Sequence, residues 1–219
     1  MKTPIIITNF KTYQTATSDQ ALKLAKIHEE VARETGVSFA IAVSALDLTT
    51  LAKSVSIPVF SQHVDPAGYG GYTGQIPAEL VKKAGGVGTL LNHSERRIRL
   101  DVLEESVKKA KEANLKVCIC ANTAQSGQAV AALDPDFVAV EPPELIGGDL
   151  SVTSADPDII TESVTRVGSG KLLVGDGIKN GQDVKKALEL GSAGILLASG
   201  VTKAENPREV LLDLARACG

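Results

Sequence analysis

The sequence predicts an α/β protein that folds as a single (β/α)8 barrel. Two observations lead to this fold class: eight short apolar segments recur along the 219 residues, and stretches with helical periodicity separate them. Strands that alternate with helices are typical of a parallel sheet. Eight such units in a chain of this length are what a closed barrel requires. We therefore expect one domain over residues 1–219, with its functional residues at the carboxyl ends of the strands.

The strands are expected, in chain order, at 5–8, 38–43, 58–60, 88–91, 116–120, 137–140, 172–174 and 194–197. They are apolar over most of their length. This suits barrel strands, whose side chains either fill the interior or pack against the outer helices. Helical periodicity with a polar outer face runs through 18–35, 96–113, 180–190 and 206–217.

The composition narrows the class of partner. Hydrophobic residues make up 43% of the chain, which is enough for a large core. The net charge is −3, and acidic and basic residues are interspersed. Without a basic stripe, nothing favours a nucleic acid or a membrane surface as a partner. We expect a small-molecule partner.

Cysteine usage and the N-terminus indicate a cytoplasmic protein. Three cysteines, an odd number, do not form a disulfide framework. We expect the side chains of Cys118 and Cys120 to point to opposite faces of the fifth strand. The chain enters its first strand at once, with no signal peptide and no apolar run of about 18 residues or more.

Residues 62–74 form the one long polar loop. Loops longer than about 12 residues in a compact domain are usually functional or mobile. Tyr69 and Tyr72 favour a contact surface for another subunit, because tyrosine buries a large area and keeps a polar group. The alternative is a mobile surface excursion.

Polar residues follow two of the strands. Asn9 and Lys11 come after the first strand, two residues apart, so both can face the mouth of the barrel. His93 follows the fourth strand, where a helix is expected to begin with Asn92 or Ser94 as its cap. The positive end of a helix dipole would disfavour a cationic imidazole. The alternatives are a solvated lysine and a capping or solvent-facing histidine.

Glu141 follows the sixth strand directly. Apolar neighbours at the rim of a barrel strengthen a carboxylate as a base. Two prolines and two glycines then bracket Leu145 and Ile146, which predicts a lid that closes over a ligand and excludes water. The alternative is an ordinary turn with surface acids.

Two further turns are suited to phosphate. Residues 174–178 follow the seventh strand and residues 198–200 follow the eighth, and their small side chains let backbone N–H groups approach an anion. Phosphate sites in (β/α)8 barrels commonly lie after strands seven and eight.

These segments together resemble the triosephosphate isomerase family, in the short form typical of archaea. The similarity extends in order through the whole chain. Its motifs are Asn9-x-Lys11, the Asn-His-Ser-Glu-Arg-Arg run at 92–97, Glu141-Pro142 followed by Ile146-Gly147, and the loop from Gln62 to Thr73 and Gly74.

The resemblance implies a cofactor-independent and metal-independent isomerase of glycolysis and gluconeogenesis that interconverts dihydroxyacetone phosphate and glyceraldehyde 3-phosphate. Glu141 would be the base and His93 a neutral electrophile. Lys11 and Asn9 would stabilise the enediolate, and Glu95 would support Lys11.

The resemblance also implies the remaining contacts. Backbone N–H groups of Gly147, Gly177, Ala198 and Ser199 would hold the phosphate, with Ile146 closing above it. The 62–74 loop, with Thr73, would reach the neighbouring subunit of a homodimer or homotetramer.

Two alternatives stay open. Another sugar-phosphate barrel enzyme would share the phosphate site, but a metal-dependent epimerase needs clustered histidines, and His28, His63 and His93 are far apart in sequence. An aldolase needs a Schiff-base lysine on a barrel strand. A non-catalytic barrel that binds a phosphorylated metabolite is the second alternative. The joint presence of Lys11, His93 and Glu141 argues against it.

Overall fold

The computed structural model describes residues 1–141, 157–175 and 177–219. Its strands are β1 Ile5–Asn9, β2 Ser38–Val43, β3 Val59–Ser61, β4 Gly88–Leu91, β5 Lys116–Ala121, β6 Phe137–Val140, β7 Leu172–Gly175 and β8 Gly194–Leu197. Every strand lies within one residue of its predicted position at each end. The prediction succeeded because buried parallel strands are continuous apolar runs.

All eight strands pair in parallel and in sequence order, and β1 pairs with β8 to close the sheet into a barrel. The predicted fold class is therefore confirmed. At the closing seam Ile5 pairs with Gly194, whose φ is +151°. A Cβ on Gly194 would lie 2.0 Å from the carbonyl oxygen of Ile5. Only glycine fits this position, because its hydrogen lets the two backbones approach.

The helices in the described residues lie outside the barrel. They are α1 Ser18–Thr35, α2 Leu48–Ser54, α3 Ala78–Lys83, α4 Leu100–Glu112, α5 Ala124–Ala131, α6 Pro157–Val167, α7 Gly181–Glu189, α8 Ser199–Thr202 and α9 Pro207–Arg216, with a short 3-10 turn at Gln14–Ala16. The part of the chain that the structure describes contains no helix long and apolar enough to cross a membrane.

The predicted helical stretch at 96–113 was wrong at its start, because α4 begins only at Leu100. Asn92 has a left-handed backbone with φ of 57°, and its side-chain Oδ1 accepts a hydrogen bond from the N–H of Ile98 at 3.1 Å. Arg99 is extended, with φ −63° and ψ 149°. Residues 92–99 are therefore a turn and its exit, and neither Asn92 nor Ser94 caps the helix.

The core has two layers. One cluster of apolar side chains lies between the strands and the helices, and a smaller one fills the barrel interior. Cys118 and Cys120 both belong to the interior cluster, so the expectation that they point to opposite faces was wrong. Side chains two residues apart in a strand lie on the same face.

His28 of α1 is fully buried against the outside of the barrel. Its Nδ1 donates to the carbonyl oxygen of Leu24 at 2.8 Å, and its Nε2 accepts from the hydroxyl of Thr8 at 2.9 Å. Burial lowers the pKa of His28 to about 4, against the opposing effect of the Leu24 carbonyl. His28 is thus a neutral core residue that ties α1 to β1.

Candidate active site

The carboxyl ends of three strands place polar side chains at the mouth of the barrel. Asn9 ends β1, His93 lies two residues beyond β4, and Glu141 follows β6 directly. Lys11 lines the same cleft as Asn9 and His93, a space of ≈ 350 Å³. That volume lies within the usual range for small-molecule sites, roughly 300–1,000 Å³. The structure therefore brings together side chains that are up to 132 residues apart in the chain.

A hydrogen-bonded turn after β1 positions Lys11. The side-chain Oδ1 of Asn9 accepts the backbone N–H of Lys11 at 3.0 Å. Lys11 has a φ of 48°, a left-handed conformation that costs a non-glycine residue about 1–2 kcal/mol. Such strain persists only where the surroundings enforce it, and it is typical of functional sites.

Gln62 also holds this turn, and the sequence reasoning did not single it out as a site residue. It follows β3, and its Nε2 donates to the carbonyl oxygen of Lys11 at 3.0 Å and to Oδ1 of Asn9 at 3.3 Å. The available signal was its place as a polar residue just past a barrel strand.

The ammonium of Lys11 lies 3.0 Å from Oε1 of Glu95. The Lys11 side chain is 12% exposed, whereas that of Glu95 is 59% exposed. An ion pair with one partner in solvent adds little to stability, about 0–1 kcal/mol. Glu95 therefore contacts the Lys11 ammonium from the solvent-exposed side of the cleft.

The hydrogen bonds of His93 indicate a neutral imidazole. Its Nδ1 accepts the backbone N–H of Glu95 at 3.2 Å, so the ring proton of the neutral form is on Nε2. The carboxylate Oε2 of Glu95 lies 3.5 Å from Nδ1 and would form an ion pair only with a protonated ring. The expectation that His93 lies at the N-terminus of a helix was wrong, because α4 begins seven residues beyond it.

Glu141 is 2% exposed, and its backbone N–H donates to the carbonyl oxygen of Ala121 at 2.7 Å. Oε1 lies 3.5 Å from Nε2 of His93. Oε2 is buried and accepts no hydrogen bond from the described residues. Leaving a buried polar atom unsatisfied costs about 1–3 kcal/mol. Such an atom is available to a ligand.

The thiol of Cys120 lies close to this carboxylate inside the barrel. Burial raises the pKa of Cys120 well above its ordinary value, and the negative charge of Glu141 raises it further. Cys120 therefore stays a neutral thiol and does not compete as a nucleophile. Among the described residues, no three His, Cys, Asp or Glu side chains form a group that could hold a metal ion.

The two predicted phosphate turns are neighbours. β7 and β8 pair directly, and a Cβ on Gly200 would lie 3.6 Å from the carbonyl oxygen of Ile178. Gly177 has a φ of 68°, Ala198 is buried, and Ser199 is exposed at the first turn of α8. Ile146 and Gly147, which were predicted to complete the phosphate site and its lid, lie outside the described residues.

The 62–74 loop is closed at its base by Asp65. Its Oδ2 accepts the N–H of Ile76 at 2.7 Å, and its Oδ1 accepts Nε2–H of His63 at 2.9 Å. Beyond this clamp the loop extends into solvent: Tyr69 is 62% and Tyr72 53% exposed, and Thr73 is exposed too. In the single chain Thr73 does not line the cleft.

The model of the triosephosphate isomerase family matches residues 4–218. A protein of Methanosarcina acetivorans named triosephosphate isomerase is 46% identical over 220 residues, which cover 99% of each chain. One of the same name from Methanothermobacter thermautotrophicus is 48% identical over 216 residues, 97% of this chain and 94% of its own. A third, from Methanobacterium bryantii, is 46% identical over 217 residues, 97% of this chain and 96% of its own.

Proposed function

Because the chain belongs to the triosephosphate isomerase family, we propose that Glu141, His93 and Lys11 carry out its reaction. That reaction is the interconversion of dihydroxyacetone phosphate and glyceraldehyde 3-phosphate. The observation that best supports these roles is the unsatisfied, buried Oε2 of Glu141, whose other oxygen is beside the imidazole.

Glu141 acts as the base. Its carboxylate removes a proton from C1 of dihydroxyacetone phosphate, and the C–H electrons form the double bond of an enediolate. The carbonyl π electrons move onto the C2 oxygen. The hydroxyl proton on the C1 oxygen then moves to the C2 oxygen, which leaves the negative charge on the C1 oxygen. As that oxygen re-forms a carbonyl group with C1, the electrons of the C1–C2 double bond take the proton from protonated Glu141 at C2, which gives the aldehyde product.

His93 and Lys11 stabilise the charge that this transfer creates. The Nε2–H of a neutral His93 donates to the substrate oxygens and can move a proton between them. The Lys11 ammonium, which is only slightly exposed, lies in a site with little competing water. A fixed positive charge aimed at developing negative charge is worth several kcal/mol in such a site, roughly 3–4 from comparable substitutions.

The phosphate group anchors the substrate away from the reacting carbons. We assign it to backbone N–H groups of Gly177, Ala198 and Ser199, which lie on adjacent turns. Small residues at these positions leave the amides accessible. Binding energy from this remote group contributes to catalysis, because it holds the carbons at the base.

We also propose that the chain is at least a homodimer, with the 62–74 loop at its interface and Thr73 reaching the neighbouring cleft. Two observations support this. The tyrosines at the tip of the loop are exposed although its base is clamped by Asp65. Leu46, in the adjacent turn after β2, is 93% exposed. Exposed aromatic and aliphatic side chains on neighbouring loops are typical of subunit contacts.

A cytoplasmic location remains a prediction. It is supported by the three cysteines, all of which are free thiols. That residues 1–219 form one domain is likewise a proposal, supported by the sequential closure of the eight strands.

The test is a cofactor-free assay of purified protein with glyceraldehyde 3-phosphate, in which a coupled dehydrogenase detects dihydroxyacetone phosphate. Glu141→Gln keeps the shape of the side chain and removes the base, so turnover should fall by several orders of magnitude. Glu104→Gln, an exposed position on α4, is the matched control. Turnover that survives in Glu141→Gln would contradict the assignment of the base.

A further inference from the structure

Strand β5 extends further toward the barrel mouth than its neighbour β4. The pairing between the two strands ends at Leu91 and Ile119. Beyond this pair β4 stops, whereas β5 continues through Cys120 and Ala121. The next residue after β4, Asn92, leaves the sheet with a left-handed backbone. Two peptide groups of β5 therefore project past the end of β4, next to the turn that carries the catalytic histidine.

Beyond the end of β4, side chains and not a paired strand supply hydrogen bonds to this edge of β5. The carbonyl oxygen of Cys120 accepts Nδ2–H of Asn92 at 3.0 Å and Nη1–H of Arg97 at 3.1 Å. Arg97 also donates to the carbonyl oxygen of Asn92. Asn92 and Arg97 are the two ends of the run that contains His93, so both ends of this turn are attached to one backbone atom of β5.

On the other side of β5, a backbone hydrogen bond attaches Glu141 to the strand. Successive carbonyls of a strand point to opposite neighbours, and the carbonyl oxygen of Ala121 accepts the N–H of Glu141 at 2.7 Å. Consecutive peptide groups of β5 thus connect the histidine turn on one side with the glutamate on the other. The two reacting side chains end 3.5 Å apart, Nε2 to Oε1.

We propose that Asn92 is a positioning residue of the isomerase, which sets the distance between His93 and Glu141 by attaching the histidine turn to β5. Asn92 suits this role because its amide both donates and accepts. Nδ2 contacts Cys120, and Oδ1 accepts the N–H of Ile98 at the far end of the turn. Asparagine also tolerates the left-handed backbone that the turn requires.

The proposal deepens the proposed function and rests on the roles given there to His93 and Glu141. The first variant is Asn92→Gly, because glycine accepts a φ of 57° and removes only the two side-chain hydrogen bonds. We expect kcat to fall by at least about tenfold with KM within about twofold, since misplacement of reacting groups by a fraction of an ångström slows the chemical step.

Asn114→Gly is the matched control. Asn114 also has a left-handed backbone, with φ of 56°, but it precedes β5 at the opposite end of the barrel. The same chemical change there should leave kcat and KM unchanged. If Asn92→Gly keeps wild-type kcat, or loses no more activity than Asn114→Gly, the proposal is overturned.

Asn92→Asp distinguishes the effect of the hydrogen bond to Cys120 from that of the hydrogen bond with Ile98. Aspartate still accepts the N–H of Ile98, but it has no donor for the carbonyl oxygen of Cys120 and places negative charge against it. We expect kcat to fall as in Asn92→Gly. Wild-type kcat in Asn92→Asp would show that closing the turn matters and that attachment to β5 does not.

An imidazole readout that needs no turnover completes the test. In protein with 15N-labelled histidine, His93 of the wild type should show one tautomer with its proton on Nε2, and Asn92→Gly should show an averaged signal as the turn loosens. If the wild-type protein shows this tautomer but has no isomerase activity, the result would count against the proposed function alone. An unchanged His93 signal in Asn92→Gly would count against the positioning role alone.

Discussion

Gly175, the last residue of β7, packs directly against the side chain of Glu141. A Cβ on Gly175 would lie 2.4 Å from Cγ of Glu141 and 3.2 Å from its Oε1. The backbone of Gly175 is therefore one wall of the space that the carboxylate occupies. Because Glu141 follows β6 and Gly175 ends the neighbouring strand β7, this contact joins residues of two adjacent strands.

The contact predicts that Gly175→Ala damages catalysis by displacing the base. The added methyl group cannot coexist with Cγ at 2.4 Å, so the Glu141 side chain must move. We expect kcat to fall by about 100-fold, the cost of a shift near 1 Å in a reacting group. Steady-state kinetics measures this loss.

The control for this variant is Gly170→Ala, since nothing lies within 4 Å of a Cβ at Gly170. It should leave kcat unchanged. If Gly175→Ala kept the wild-type kcat, Glu141 would have room to hold its position beside the added methyl group. That result would contradict the prediction.

His28 predicts an acid-dependent stability. Its pKa is about 4 in the folded protein because burial disfavours the charged form, and 6.5 is its ordinary value. The unfolded chain therefore binds the proton more tightly, and stability is full above pH 6.5 and falls as the pH drops toward 4. At 1.36 kcal/mol per pKa unit, the loss is about 3 kcal/mol.

Urea unfolding of the wild type and of His28→Gln, at several pH values between 7 and 4, measures this effect. The difference between their unfolding free energies should shrink across that range. Burial also lowers the pKa of His63, against the effect of Asp65, so a residual slope in the same direction remains in the variant. Parallel curves for the two proteins would contradict the prediction.

The elements of the fold were predictable because they depend on local pattern. Each barrel strand is an apolar run, and the residues after it are polar, so Lys11, His93 and Glu141 could be assigned to one rim before any coordinates. The start of α4 was not predictable in the same way. The turn before it depends on a hydrogen bond that the N–H of Ile98 donates to the side-chain oxygen of Asn92, which amphipathic periodicity does not report.

Contacts between residues of different strands could not be predicted from the sequence either. Gln62 holds the Lys11 turn and Gly175 bounds Glu141, and both contacts join residues from different strands. Neither residue type is distinctive alone, since a polar residue and a glycine are common at strand ends. The error over Cys118 and Cys120 has another origin, because the two-residue period of a strand places both on one face.

The exposed loop tip predicts that association depends on the tyrosines. Tyr69→Ser combined with Tyr72→Ser removes the aromatic area but leaves the Asp65 clamp at the base of the loop intact. We expect sedimentation to show a shift toward monomer at micromolar concentration, with lower kcat because Thr73 no longer reaches a neighbouring cleft. Leu100→Ser, another exposed apolar residue, lies at the start of α4 and is the control. A fully active monomeric wild type would refute the interface.

Lys11→Ala tests the cation in the cleft. Removing the ammonium leaves Glu95 unpaired, but that carboxylate is 59% exposed and remains hydrated, so the thermal unfolding midpoint should change little. Turnover should suffer much more. Loss of one group that stabilises developing charge costs about 10²–10³ in kcat, and binding of the anionic substrate weakens as well.

Kinetics and titration with phosphoglycolate measure both effects of Lys11→Ala. Lys108→Ala is the control, because Lys108 is an exposed lysine that pairs with Glu105 on the outer helix. Lys11→Arg keeps the positive charge but replaces a compact ammonium by a planar group, so it should restore anion binding more than kcat. An unchanged kcat/KM in Lys11→Ala would contradict the role proposed for Lys11. It would mean that the ammonium, although it lies in the cleft, does not stabilise the negative charge formed in the reaction.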